Sequence, residues 1–205
     1  MATNDYCTAD EVTAAMPDGN WGAGYDALLL LLAARASRAI DRYTKREPGA
    51  YYVDTDTTRY FTPEKDVSLQ IGEMAAVPTT VSIAEDGDLT SLTALVATDY
   101  FMEPYNALAE GLPYNFIKLD VLNGDWAYWP GFQKSVVIVG KFGYAAAVPD
   151  DVKQCSIIQC ARWFKRGQQG FQDTGAIVEL GQLRYTRTMD PDIQIMVDHL
   201  RKVTI

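Results

Sequence analysis

The sequence predicts an α+β fold in which helical segments at both ends flank a β-rich, barrel- or sandwich-like insertion. Near both ends, apolar residues recur at three- and four-residue spacing, the period of one helix face. Between them, short apolar runs alternate with turns rich in Pro, Gly and Asn, which is typical of antiparallel strands. With 205 residues, 48% hydrophobic and 22% charged, the chain is long enough for one or two domains with a real core.

Two helices are predicted at the N-terminal end. Thr8 and Glu11 have the spacing of a capping box, in which each side chain accepts a hydrogen bond from an exposed backbone N–H, so a short helix is expected over residues 9–16. A turn cluster at residues 17–20 ends it. A long helix is expected over residues 23–45, where a Pro-Gly pair follows.

Five consecutive leucines, residues 28–32, lie in the long helix. They surround its first turns with apolar surface, so they must be covered on more than one side, by the same subunit or by a neighbour. Basic residues recur on another face and are most often simply solvated, although they could also meet the acidic middle of an adjacent copy. These residues are Arg35, Arg38, Arg42 and Lys45.

The middle of the chain is predicted to form strands. The candidates are residues 58–61, 67–71, 79–85, 95–101, 116–121 and 135–141. The Asp86-Gly87 pair suits a tight hairpin turn, because Gly tolerates a positive φ. The expected division is a β-rich insertion domain over residues 48–148 and a helical domain made of residues 1–47 and 149–205.

Helical periodicity returns after the insertion. A helix is expected near residues 149–166, with Pro in its first turn and carboxylates at its positive end. Residues 167–175 are expected to form a mobile loop and residues 177–185 an extended segment. A last helix opens at Asp190, and its apolar stripe comprises Ile193, Met196, Val197 and Leu200.

Charge is concentrated in the insertion. Residues 48–150 carry five basic and fourteen acidic side chains, and the whole chain has a net charge of −9. This balance argues against tight nucleic-acid binding, which depends on Lys and Arg. No apolar run is long enough for a membrane helix, and the start of the chain lacks the features of a secretory signal. We therefore expect an intracellular protein with no membrane partner.

No cofactor or metal site is predicted. Residues 22–27 match the GxGxxA form of a dinucleotide loop, but the residues before them indicate helix and turn instead of the required strand. The carboxylates of Glu85, Asp86 and Asp88 lack the closing acidic ligand of a calcium loop, where Ala97 stands.

No catalytic residues are predicted either. Cys155 or Cys160 could pair with His199 as nucleophile and base, but both cysteines lie on an apolar helix and no third orienting group is evident. A buried structural thiol is the more common case. The sequence contains no catalytic or phosphate-binding motif of a known type. We expect the protein not to be an enzyme.

An aromatic cluster surrounds a Pro-Gly pair late in the insertion. Its members are Trp126, Tyr128, Trp129 and Phe132. They could close the end of the β domain, lie at a subunit interface, or stack on a ligand. The last possibility defines an alternative function, a ligand- or carbohydrate-binding β module.

Three segments resemble the head-tail connector proteins of tailed bacteriophages, also called neck adaptors or head completion proteins. Residues 31–46 resemble the first long helix of that family, residues 148–166 its second signature helix, and residues 189–201 its terminal segment. The resemblance implies a structural virion protein of the neck, made in the host cytoplasm. It also implies a twelve-copy homo-oligomeric ring beneath the portal protein, through which DNA passes without specific binding. The ring would be the platform for a stopper or tail-completion protein.

The resemblance also implies two sets of contact residues. The portal-docking set is Ile193, Met196, Val197, Leu200, Val203 and Ile205. The subunit-interface set is Leu28, Leu29, Leu30, Leu31, Leu32, Arg35, Arg38 and Arg42. In such a ring the acidic insertion could face the lumen, where it would repel DNA phosphates, or the exterior.

Overall fold

The computed structural model describes residues 5–16, 23–168, 174–177, 181–184 and 189–202. The chain forms two compact units, which we call the helical unit, residues 1–49 with 148–205, and the β unit, residues 50–147. The predicted α+β class with helical ends is confirmed.

Four α-helices are described in the helical unit. They are α1 (Ala9–Ala14), α2 (Asp26–Thr44), α3 (Asp150–Gln168) and α4 (Pro191–Asp198). The capping box starts α1 as predicted, because Glu11 N–H donates to Thr8 Oγ1 at 3.3 Å and Thr8 N–H donates to Glu11 Oε2 at 2.9 Å. Helix α2 ends at Lys45, whose φ of 57° is left-handed.

Helix α2 packs one face against α3 and α1. Its buried inner face consists of Leu29, Ala33, Ala36 and Ile40, together with the polar Ser37, Asp41 and Thr44. The two alanines let the α3 backbone approach closely, and the Cys160 Sγ lies 3.7 Å from Leu29 O. Phe164 of α3 completes this core.

A buried carboxylate, Asp41, joins three parts of the helical unit. It accepts hydrogen bonds from the Tyr6 hydroxyl and, at 3.1 Å, from Gly49 N–H, and it lies 2.9 Å from Arg38 Nε. Burial raises the pKa of Asp41, although these three partners oppose the shift. The N-terminal segment, α2 and the chain beyond α2 are therefore held at one point.

The β unit contains seven strands. They are β1 (Thr57–Phe61), β2 (Ser68–Met74), β3 (Thr80–Ile83), β4 (Thr93–Ala94), β5 (Tyr100–Glu103), β6 (Tyr114–Leu119) and β7 (Val136–Gly140). The first sheet has the order β1-β7-β3-β4 and the second the order β2-β6-β5, with every pair antiparallel. Within residues 50–147, all of which are described, these sheets do not close into a barrel.

Both sheets contribute to one core. Ile71 of β2, Ile83 of β3, Ile117 of β6 and Ile138 of β7 are buried together with Trp129. Because side chains from the two sheets meet in a shared interior, the arrangement is sandwich-like.

Two local predictions in the β unit are wrong. A turn, not a strand, interrupts residues 95–101, because the buried Asp99 carboxylate accepts a hydrogen bond from Val96 N–H at 2.8 Å and Asp99 N–H donates to Val96 O at 3.0 Å. The strands β3 and β4 are joined by residues 84–92, so Asp86-Gly87 is one bend of a longer loop and not a tight hairpin turn.

A small hairpin follows α3 in the helical unit. Its strands are β8 (Thr174–Ile177) and β9 (Gly181–Arg184), which pair antiparallel. Helix α3 extends to Gln168, and β8 begins inside the predicted loop 167–175, of which residues 169–173 lie outside the described part. The predicted extended segment 177–185 contains β9.

Replacing Asp41 with Asn is expected to remove a pH-dependent contribution to stability. Because its pKa is raised, the folded protein binds the Asp41 proton more tightly than the unfolded chain does. The free energy of unfolding therefore falls as pH rises from the ordinary value of 3.8 through the raised pKa. Across that interval, the unaltered chain should lose stability relative to Asp41→Asn.

Urea unfolding at a series of pH values from about 3.5 to 7 measures this difference. The exposed Asp54 supplies the control, since Asp54→Asn should follow the unaltered chain at every pH. Parallel stability curves for the unaltered and Asp41→Asn chains would contradict the prediction.

Candidate assembly surfaces

The leucine run of α2 is divided between the protomer core and its surface. Leu29 is buried and Leu32 is half-buried, whereas Leu30 and Leu31 are 53% and 47% exposed, and Leu28 is exposed to a similar extent. Exposed apolar side chains this large mark contact surfaces when they adjoin one another. The protomer therefore covers one side of the run and leaves another open.

Four residues of α2 form a stripe opposite its buried face, which we call the outer stripe. They are Leu28, Leu31, Arg35 and Arg42. Successive residues of an α-helix are rotated by 100° about its axis, so these four side chains point within about 60° of one another. The outer stripe is therefore apolar in its first half and basic in its second.

The predicted arginine set has two different roles. The Arg38 guanidinium lies against the Asp41 carboxylate and over the Tyr6 ring, 5.5 Å from its centroid, so this half-buried side chain makes contacts within its own chain. Arg35 and Arg42 are exposed, and neither forms an ion pair with any described residue.

A groove of about 860 Å³ separates the first half of α2 from the second half of α3. Its lining includes Leu28, Leu32 and Trp163, and Tyr25 meets Phe164 edge to face with ring centroids 5.5 Å apart. Arg35 and Arg166 also line this groove. The sequence did not predict it, because it depends on how two helices pack.

The α4 residues predicted to dock on a portal are placed mostly inside the protomer. Ile193, Val197 and Leu200 are buried, and Met196 is half-buried with its Sδ 3.8 Å from Cys155 Sγ. Val203 and Ile205 lie outside the described residues. Ile195 lies on the face opposite the predicted apolar stripe, so it was not among the predicted residues, and it is 76% exposed.

The end of α4 is fastened to the end of α2. The Arg46 guanidinium donates two hydrogen bonds to Leu200 O, at 3.1 and 2.9 Å, and Lys202 N–H donates to Thr44 O at 2.9 Å. At the other end of α4, its N-cap residue Asp190 forms an ion pair with Arg162 of α3. Helix α4 is thus held at both ends.

The aromatic cluster also divides. Trp129 is fully buried, and its Nε1–H donates to Val67 O at 3.0 Å, so it closes the β-unit core. Trp126 is half-buried against that core, whereas Tyr128 and Phe132 are exposed. These three border a groove of about 630 Å³, the aromatic groove, which is also lined by Lys65, Glu85, Asp125, Ala127, Pro130 and Gly131.

The cysteines are packing groups between elements of the helical unit. All three are buried, and Cys7 Sγ lies 3.2 Å from the Ser156 hydroxyl. Burial raises the pKa of Cys155 to about 11 and that of Cys160 to about 12, with smaller contributions from Asp151 and Cys7 respectively. His199, the candidate base for Cys155 or Cys160, is exposed, whereas both of these thiols are buried.

Among the described residues, no three His, Cys, Asp or Glu side chains are grouped so that they could hold a metal ion. No described helix is long and apolar enough to cross a membrane.

The chain is similar in structure to proteins of particle necks. It aligns with a chain from the neck of an empty gene transfer agent (GTA) particle, computed with C6 symmetry, over 96% of this chain and 90% of that chain, with a TM-score of 0.56 and 16% identity. The chain shares the fold of that neck chain. A chain from the neck of the native GTA particle, computed with C12 symmetry, aligns over 89% of this chain and 86% of that chain, with a TM-score of 0.50 and 16% identity.

A third similar chain comes from the virion of the native GTA particle, with a TM-score of 0.50 and 16% identity over 96% of this chain and 90% of that chain. All three solved structures are of GTA particles. No protein-family model matches the sequence, and no curated protein matches it. At this identity, the likeness shows a shared fold.

Thiol labelling distinguishes packing cysteines from a nucleophile. Raising a thiol pKa from 9.0 to about 11 lowers its thiolate fraction near neutral pH about a hundredfold, and burial also blocks the reagent. We expect Cys7, Cys155 and Cys160 to react with a disulfide reagent far more slowly in the native protein than in urea. Fast labelling of Cys155 or Cys160 in the native state would contradict this.

Proposed function

We propose that the protein is a structural component of the neck of a phage-like particle, where it forms a ring adaptor beneath the portal. The observation that carries the proposal is a likeness to GTA-neck chains that spans 96% of this chain and therefore includes both units. In this role the ring extends the DNA conduit, lets DNA pass without specific binding, and offers a platform to a stopper or tail-completion protein.

The ring requires a protomer surface that a neighbour covers. The exposed leucines of α2 supply apolar area, since burying a Leu side chain stabilises an interface by about 1.5–3 kcal/mol. A ring uses heterologous contacts, in which two different surfaces meet and rotation closes the circle. We assign Leu28, Leu31, Arg35 and Arg42 to one of these surfaces. Twelve copies is the number we expect, and the similar neck structures were computed with C12 and C6 symmetry.

Portal docking is assigned to α4 and the segment after it. Because Ile193, Val197 and Leu200 are buried in the protomer, they position the helix, and the contact with the portal falls to the outward-facing Ile195 and the half-buried Met196. The ion pair and hydrogen bonds at the two ends of α4 support this assignment, since they keep the helix in place as a rigid element.

Replacing Leu31 with Asp is expected to prevent ring assembly without unfolding the protomer. The side chain is 47% exposed, so the free energy of unfolding should change by less than about 1 kcal/mol, while a charge in the interface lacks a partner. Electron microscopy of rings on purified portal complexes measures assembly. Leu122→Asp is the matched control, because Leu122 is 90% exposed in the β unit, and rings should form as before. Normal rings from Leu31→Asp would refute the interface.

A pair of α4 substitutions separates docking from folding. Ile195→Asp should weaken binding to the portal at least about tenfold and leave the thermal unfolding midpoint nearly unchanged, because the side chain is exposed. Ile193→Asp should instead destabilise the protomer by several kcal/mol, since it buries an unpaired charge. Portal pull-down with calorimetry measures both. Full portal binding by Ile195→Asp would remove this face of α4 from the docking surface.

A further inference from the structure

We propose that the aromatic groove of one protomer receives the outer stripe of α2 from a second copy of this chain. The inference rests on the proposed ring and names its second surface. The groove lies in the β unit and the stripe in the helical unit, so each copy offers one surface to each of two neighbours.

The aromatic groove lies beside the buried Trp129. The Trp129 backbone N–H donates to Asp66 O at 2.9 Å, which fixes the chain next to the groove. Gly87, in the loop between β3 and β4, lies close to one ring of the groove, since a Cβ added there would be 3.4 Å from Phe132 Cβ. Contact with this loop limits the motion of the Phe132 side chain, which reduces the entropy that binding would cost.

One aromatic ring of the groove already contacts a cation of the same chain. The Lys65 ammonium lies over the Tyr128 ring, 5.2 Å from its centroid. Glu85 and Asp125 add two carboxylates, and no described residue forms an ion pair with either of them. Glu85 is oriented by the Thr93 hydroxyl, which donates to its Oε1 at 3.1 Å. Aromatic faces beside unpaired carboxylates are suited to guanidinium groups and to adjacent apolar side chains.

The outer stripe has the complementary chemistry. Leu28 and Leu31 precede Arg35 and Arg42 on the same side of the helix. Seven residues separate the two arginines, about 10.5 Å along the axis, so both can enter one contact. Leucines fit against the aromatic rings, and the guanidiniums fit against Glu85 and Asp125.

The distribution of charge favours the same pairing. The β unit carries five basic and thirteen acidic side chains, a net charge of −8, which leaves −1 for the helical unit. Placing the basic half of the stripe against the β unit of a neighbour lowers the repulsion between acidic copies. Because the two surfaces differ, the contact is head to tail and can close into a ring.

Two charge-reversed full-length chains test this pairing. One carries Glu85→Arg with Asp125→Arg, the other Arg35→Glu with Arg42→Glu, and all four positions are exposed. In each chain alone, stripe and groove have like charges, so association should weaken at least about a hundredfold. In an equimolar mixture, every contact between unlike chains is complementary again, so we expect oligomers with alternating copies. Analytical ultracentrifugation and electron microscopy at low salt measure both outcomes.

The control carries Asp54→Arg with Glu110→Arg, two exposed positions outside the groove. Its net charge changes by the same amount as in the chain with Glu85→Arg and Asp125→Arg. It should assemble like the unaltered chain. Rings from both reversed chains alone would overturn the inference and leave the proposed ring standing. The inference would also be overturned if the equimolar mixture of the two reversed chains failed to assemble under conditions in which the unaltered chain assembles. If the unaltered chain forms no oligomer, free or on portal complexes, both proposals fail.

Discussion

A single constraint on α2 shapes the rest of the helical unit: the helix carries more apolar surface than its own protomer can cover. Its inner face is closed by α3 and α1, with Ala33 and Ala36 permitting close approach. The opposite side, with Leu28 and Leu31, then has no covering element among the described residues. A helix that buries one stripe to fold and exposes another is organised for contact with a further surface.

Regular periodicity predicted the helices well. Both signals used for the helices are local: the capping box at Thr8, and the apolar spacing of α2, α3 and α4. Each depends only on residues a few positions apart, so each can be recognised in the sequence itself. The failure over residues 95–101 had the opposite cause. Those residues suit a strand, but the Asp99 side chain binds Val96 N–H and competes with strand pairing.

The candidate surfaces were harder to predict, because periodicity identifies a face but not what covers it. The α4 stripe was recognised correctly as apolar, yet Ile193 and Val197 are buried inside the unit and Ile195 is left outside. In the aromatic cluster, two adjacent residues differ in burial: Trp129 lies in the core, whereas Tyr128 is exposed. The sequence places both rings in one loop, and only the path of that loop over the sandwich decides which ring turns inward.

The acidic side chains of the β unit differ in their surroundings, and therefore in the contacts that they can make. Two of them, Glu85 and Asp125, lie among aromatic side chains, whereas Asp88 and Asp120 bind their own loops. Carboxylates that accept hydrogen bonds within their own loops act on a partner only through the electrostatic field of the whole unit, which salt screens beyond about 8 Å. Those beside Tyr128 can make direct, partly desolvated contacts that fix orientation. In the proposed ring, the general negative field would repel DNA and misplaced copies, while the proposed pairing of groove and outer stripe would select one approach, so repulsion and specific assembly would coexist on the same unit.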